Sequence, residues 1–148
     1  MDRMIKTAAA FCMALSLSGI ASAQTAAAVD DSIYQAWGGK PGIQAVMEDF
    51  VPRLQADAHI GAFFKSADRE HLIGQLTEQL CQESGGPCQY RGARMGPVHA
   101  PLNISLSDFN ALVEVLQQSM DAKGIPFAAQ NAMLARLAPM HRDIVTQR

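Results

Sequence analysis

The sequence predicts an all-α domain, and three observations carry that expectation. Apolar residues recur at three- and four-residue steps along most of the chain, the spacing of one helix face. Residues that start and stop helices bracket those stretches. No β-type alternation of any length appears, and no internal repeat.

Ser32 is placed to cap a short helix through Trp37, which Gly38-Gly39 stops. Pro41 suits the first turn of a second helix, where Ile43, Val46, Met47, Phe50, Val51 and Leu54 make one apolar face. Pro52 is expected to bend or end it. Ile60, Phe63 and Phe64 form an aromatic turn, and Asp68 caps a third helix with Leu72, Ile73, Leu76 and Leu80 inward. After an irregular stretch, Ser105 and Asp108 resemble a capping box. They open a helix carrying Leu106, Phe109, Leu112, Val113, Leu116 and Met120, which Gly124 stops. Pro126 opens the last helix, with Met133, Leu134, Leu137, Ile144 and Val145, and Pro139 is expected to kink it.

The N-terminus reads differently. Arg3 and Lys6 precede an apolar, small-residue run from Thr7 to Ile20, and Ala21-Ser22-Ala23 follows. This is the pattern of a secretory signal peptide over residues 1–23. Cys12 follows Ala-Phe and does not look like a lipidation site. The run is short for a membrane span, and no later stretch reaches the roughly 20 residues one needs. Residues 24–31 read as a linker and 32–148 as one folded domain, expected in the periplasm or secreted, with a modest core. Without Asp2, Arg3 and Lys6, the 12 basic and 14 acidic side chains fall to ten and thirteen. Nucleic-acid binding asks for clustered Lys and Arg, and none is present.

Residues 81–105, CQESGGPCQYRGARMGPVHAPLNIS, break the helical pattern and hold His99 between Val98 and Ala100. An imidazole in apolar surroundings needs partners for both nitrogens. A metal can satisfy one while a backbone carbonyl orients the ring through the other. On the residues alone, a hydrogen-bonded structural histidine and a metal ligand both stay open.

An ordered series of motifs adds to this: SIYQAWGGKPGI at 32–43, MEDF at 47–50, FF at 63–64, GGP at 85–87, YRG at 90–92, MGPVH at 95–99, LNI at 102–104, then Phe109. From Ser32 to Val145 the chain resembles a truncated haemoglobin of the first group. The resemblance implies a two-over-two helical sandwich closed by glycine motifs, with His99 as the proximal ligand of haem iron on a mostly extended segment. It implies Phe64 stacked on the porphyrin and Phe50, Leu72, Leu76, Leu80, Met95, Val98, Ile104 and Phe109 along the pocket, where ordinary core packing is the alternative for each. Arg91 and Arg94 are candidates for the haem propionates or for solvated loop positions. No C-x-x-C-H motif is present, so the cofactor is expected to be non-covalent haem b.

The chain departs from the family on the distal side. Members commonly carry a tyrosine after the second-helix phenylalanine and a glutamine on the third helix, where this chain has Val51 and Leu76. Neither can donate a hydrogen bond, so the distal pocket is expected to be apolar and to release oxygen quickly. Gln75 and His71 would reach inward only on a rotated third helix, His71 then as a sixth iron ligand. His59 and His141 read as surface groups. Cys81 and Cys88 remain after export, and an oxidising compartment favours their disulfide.

The leading expectation is a globin that reversibly binds oxygen, nitric oxide or carbon monoxide, served by an unidentified reductase. The alternatives are a haem enzyme, as nitric oxide dioxygenase or with peroxidase-like activity, and a haem-free helical binding module.

Overall fold

A computed structural model describes residues 30–147. The export segment expected at 1–23 and linker positions 24–29 lie outside the described residues. The elements are α1 (Ser32–Ala36), α2 (Gly39–Ala56), a 3₁₀ turn (Gly61–Phe64), α3 (Arg69–Glu83), α4 (Met95–His99), a 3₁₀ turn (Ala100–Leu102), α5 (Leu106–Ala122), α6 (Phe127–Leu137), a 3₁₀ turn (Ala138–Met140) and α7 (His141–Ile144). Among the described residues there is no strand, and no helix is long and apolar enough to cross a membrane.

α2 packs on α3 and on α5, while α6 touches α1, α3 and α5. This is the two-over-two arrangement, with α2 and α3 in one layer and α5 and α6 in the other. The core between them holds Trp37, Ile43, Met47, Val51, Leu54, Met120 and Met133, all essentially sealed from solvent. Trp37 also donates its indole N–H to Ala129 O across the α1–α6 contact, at 3.4 Å.

Capping explains several boundaries. Asp68 accepts from His71 N at 2.7 Å at the head of α3. Ser105 and Asp108 form a reciprocal capping box at the head of α5. Gly38, with φ of 78°, carries the chain from α1 into α2. Gly42 is required for closer packing, because a β-carbon there would lie 1.8 Å from Trp37 O. Gly42→Ala is therefore expected to destabilise the fold by about 1–3 kcal/mol through overpacking, read as a lower urea midpoint.

One boundary expectation changes, and the two proline expectations become specific. Asp31, not Ser32, occupies the cap of α1; Ser32 is its first residue and donates its N–H to Asp30 Oδ1 at 3.1 Å. Pro52 does not end α2, which runs on to Ala56. Val51 and Leu54 on either side of it are fully buried, so packing outweighs the one backbone bond that proline forfeits. At Pro139 the last helix changes to a 3₁₀ turn and resumes as α7.

The segment that carries His99 is mostly irregular, as expected, with α4 as one short helical turn. Its end is tied down by the C-terminus. Thr146 N and Gln147 N both donate to Ile104 O at 2.9 Å, and Thr146 Oγ1 accepts from Ile104 N at 3.0 Å.

Candidate cofactor cleft

A cleft of about 750 Å³ opens between α3 on one side and the 90–99 segment with α4 on the other. α2 contributes Met47, Phe50 and Leu54 to it, and α5 contributes Phe109, Leu112, Val113 and Leu116. Leu134, Leu137, Met140 and Ile144 close the end formed by α6 and α7. These are leucines, methionines, phenylalanines, one valine and one isoleucine, the lining of a site for a large apolar molecule.

Most residues singled out in the sequence meet here. Phe50, Phe64, Leu72, Leu76, Leu80, Met95, Val98, His99 and Phe109 all line the cleft. Val98 stands at its rim, 45% exposed. Two do not. α2 turns its 47–50–54 stripe to the cleft, so Val51, one position round the helix, sits fully buried in the core. Ile104, held by the C-terminal tail, borders a second, smaller cavity instead. Arg91 lines the cleft and Arg94 does not, since Arg94 is the exposed cap residue of α4.

His99 is oriented by its own helix turn. Its Nδ1 lies 2.7 Å from Met95 O. A carbonyl can only accept, so Nδ1 carries the proton, and in the neutral ring the lone pair is on Nε2. This is the tautomer a metal-ligating histidine needs, with the backbone acting as the orienting partner. Among the described residues no group of three or more His, Cys, Asp or Glu is gathered for an inorganic ion. A single oriented imidazole in a large apolar cleft fits a porphyrin-borne iron, which brings its other ligands with it.

The wall formed by α3 is less apolar than the sequence suggests. His71 and Gln75 line the cleft beside Leu72 and Leu76. Gln75 Oε1 packs against Gly92, where a β-carbon would come within 2.4 Å of it and 2.3 Å of the Tyr90 ring. Burial pushes the Tyr90 phenol above its usual range, and the hydroxyl donates to Ala93 O at 3.0 Å. Gln79, only 7% exposed, was not apparent from the sequence. Its Nε2 lies 3.8 Å from Met95 Sδ and 3.5 Å from Met140 Sδ. Only its register, seven residues after Leu72 and three after Leu76, could have signalled it, and its polarity masked that register.

The two histidines read as surface groups both have partners. His59 Nε2 lies 2.8 Å from Asp108 Oδ1. Hydrogen bonds from Ser105, then the neighbouring His59, hold the Asp108 carboxyl below its usual range. The His141 ring meets Phe109 edge-on at 6.3 Å, steadying a cleft-lining side chain. The Cys81 and Cys88 sulfurs are adjacent, with Cα atoms 5.7 Å apart, across the turn where Gly85 adopts φ of 86°.

The family model described as "Bacterial-like globin" matches residues 32–146. The group 1 truncated haemoglobin of Mycolicibacterium paratuberculosis is 31% identical, over 78% of this chain and 85% of that protein. The group 1 truncated haemoglobin of Tetrahymena pyriformis is 28% identical over 77% of this chain and 94% of its own length. The crystal structure of the Tetrahymena protein in its Fe(III) form superposes with a TM-score of 0.73, covering 76% of this chain and 97% of that one.

An all-α sandwich enclosing an apolar cleft with one oriented histidine defines the globin class. The chain belongs to the bacterial-like globin family and, within it, to the group 1 truncated haemoglobins.

Proposed function

We propose that the cleft holds haem b non-covalently, with iron bound to His99 Nε2, and that the protein reversibly binds oxygen and other diatomic gases there. The observation that carries this reading is the His99–Met95 bond inside the cleft. When bound, haem would supply an iron atom able to take a diatomic gas. The chain's own residues do the rest. The Met95 carbonyl sets the imidazole tautomer, Phe64 and Phe109 hold the disc, and Arg91 offers a partner for a propionate. Leu72, Leu76 and Leu80, along the cleft wall, would keep water away from the bound gas. Absorption and resonance Raman spectra of the ferrous protein test the proposal, with a Soret band and an iron–histidine stretch expected. A chain that stays colourless after haem is added refutes it.

His71 in the cleft favours a second reading, peroxidase-like activity, because peroxide cleavage calls for an acid–base group near the iron. His71→Leu is then expected to slow reaction of the ferric protein with hydrogen peroxide while leaving carbon monoxide binding unchanged.

We further propose that residues 1–23 are an export signal, that the mature protein works in the periplasm or outside the cell, and that Cys81 and Cys88 are bonded there. Closing so short a loop stabilises the fold by about 2–3 kcal/mol in the chain-entropy model. Mild reduction of the purified protein is expected to lower its urea-unfolding stability by that amount and to release two thiols. Two free thiols before any reduction would exclude the bridge.

A further inference from the structure

Four consecutive residues of the cleft wall, Tyr90, Arg91, Gly92 and Ala93, belong to the irregular chain between α3 and α4. A helix holds its own backbone together; this stretch does not. From Pro87 to Ala93, among the described residues, no main-chain group bonds to another main-chain group. Tyr90 Oη donates to Ala93 O at 3.0 Å and Arg91 Nη2 to Gln89 Oε1 at 3.2 Å, but both contacts stay inside the stretch. Its ties to the body of the protein are few. Tyr90 N donates to Gln82 Oε1 at 2.8 Å, Gly92 packs against Gln75, and Cys88 meets Cys81.

The two cysteines differ in setting. Cys81, near the end of α3, is fully buried in the core. Cys88 is only half-buried, so it is the half that a reductant meets from solution. The bond thus fastens a weakly held wall to a fixed point. Without it, the wall hangs on one hydrogen bond to the exposed Gln82 and on one glycine contact. Segments with so few contacts are the first to open in a folded chain.

We propose that the Cys81–Cys88 bond is a redox latch on the cofactor cleft. Closed, it holds the 89–94 wall against the haem; open, it lets that wall move and the haem leave. The latch rests on the bond and the haem site proposed above. The reductant is a dithiol. Its thiolate attacks Cys88 Sγ, Cys81 leaves, and the reductant's second sulfur then displaces Cys88. The chain gains two thiols, whose protons come from the reductant, and the dithiol becomes a disulfide. Arg91, three residues past Cys88, moves with the freed segment, and the side chain offered to a propionate is withdrawn.

The test follows haem transfer from the ferric holoprotein to excess apomyoglobin before and after dithiothreitol, with thiols titrated in each sample. Reduction is expected to speed transfer severalfold. It should also raise amide hydrogen exchange over residues 87–94 and leave the α2–α5 core unchanged. Cys88→Ser should transfer haem at the fast rate in both conditions, which shows that dithiothreitol acts through the bond and not on the iron. A Cys88→Ser chain that still responds to dithiothreitol overturns the latch. So does exchange that rises throughout the chain, or a transfer rate left unchanged after two thiols are released. Two free thiols before any reduction, or a missing Soret band, overturn the latch together with the bond or the haem site on which it rests.

Discussion

Replacing His99 with alanine is expected to have the largest effect of any single substitution on cofactor retention. In metal sites, partners that merely orient a ligating histidine are worth roughly 10–100-fold in affinity. Removing the ligand itself should therefore weaken haem binding by at least about a hundredfold, measured as transfer of haem to a competing apoglobin. The thermal midpoint of the haem-loaded chain should fall with it, because a ligand that binds only the folded state stabilises it by mass action. His99→Gly with added imidazole is expected to regain the ferrous spectrum, which separates a lost iron ligand from a damaged fold. If His99→Ala keeps the wild-type Soret band and transfer rate, the assignment fails, and the Met95–His99 bond is only structural.

Leu76→Gln is expected to slow oxygen release by about ten- to a hundredfold. A hydrogen bond to the partly negative bound oxygen contributes on the order of 1–3 kcal/mol, and each 1.4 kcal/mol is a factor of ten. Leu76 lines the cleft, so a carboxamide there is presented to the bound gas. Gln75, the residue before it, has its carboxamide oxygen packed on Gly92. Stopped-flow displacement of oxygen by carbon monoxide reads the change directly. An unchanged off-rate would mean that the wild-type pocket already supplies a donor, with Gln75, Gln79 and His71 as the candidates. Val51→Tyr, the other family-like change, should gain less. Val51 is sealed in the core rather than along the cleft, and a tyrosine there must first overcome overpacking.

The helices were legible because their signals are local. The Ser105–Asp108 box, the Asp68 cap and the Gly124 stop each report on a few neighbouring residues, and all appear in the structure. Pro52 does not end α2, for the converse reason. Its local penalty is real, but the burial of Val51 and Leu54 against other helices decides the matter, and that is a tertiary fact. The cleft divides in the same way. His99 and the leucines of α3 stood out through motif order and helical register. Val51 was placed in the pocket by family position, whereas the rotation of α2 gives that face to Met47, Phe50 and Leu54. Gln79 and Met140 become neighbours only when α3 meets the end of the chain, 61 residues on. No spacing within one helix reveals that.

The bonds that Thr146 and Gln147 make with Ile104 act as a clasp between two stretches of chain more than forty residues apart. Cutting the chain ahead of Thr146 would strip Ile104 N and O of these partners, and an unpartnered backbone group carries a real penalty. The loosening should be felt first at the turn beside His99, well before the α2–α5 core gives way.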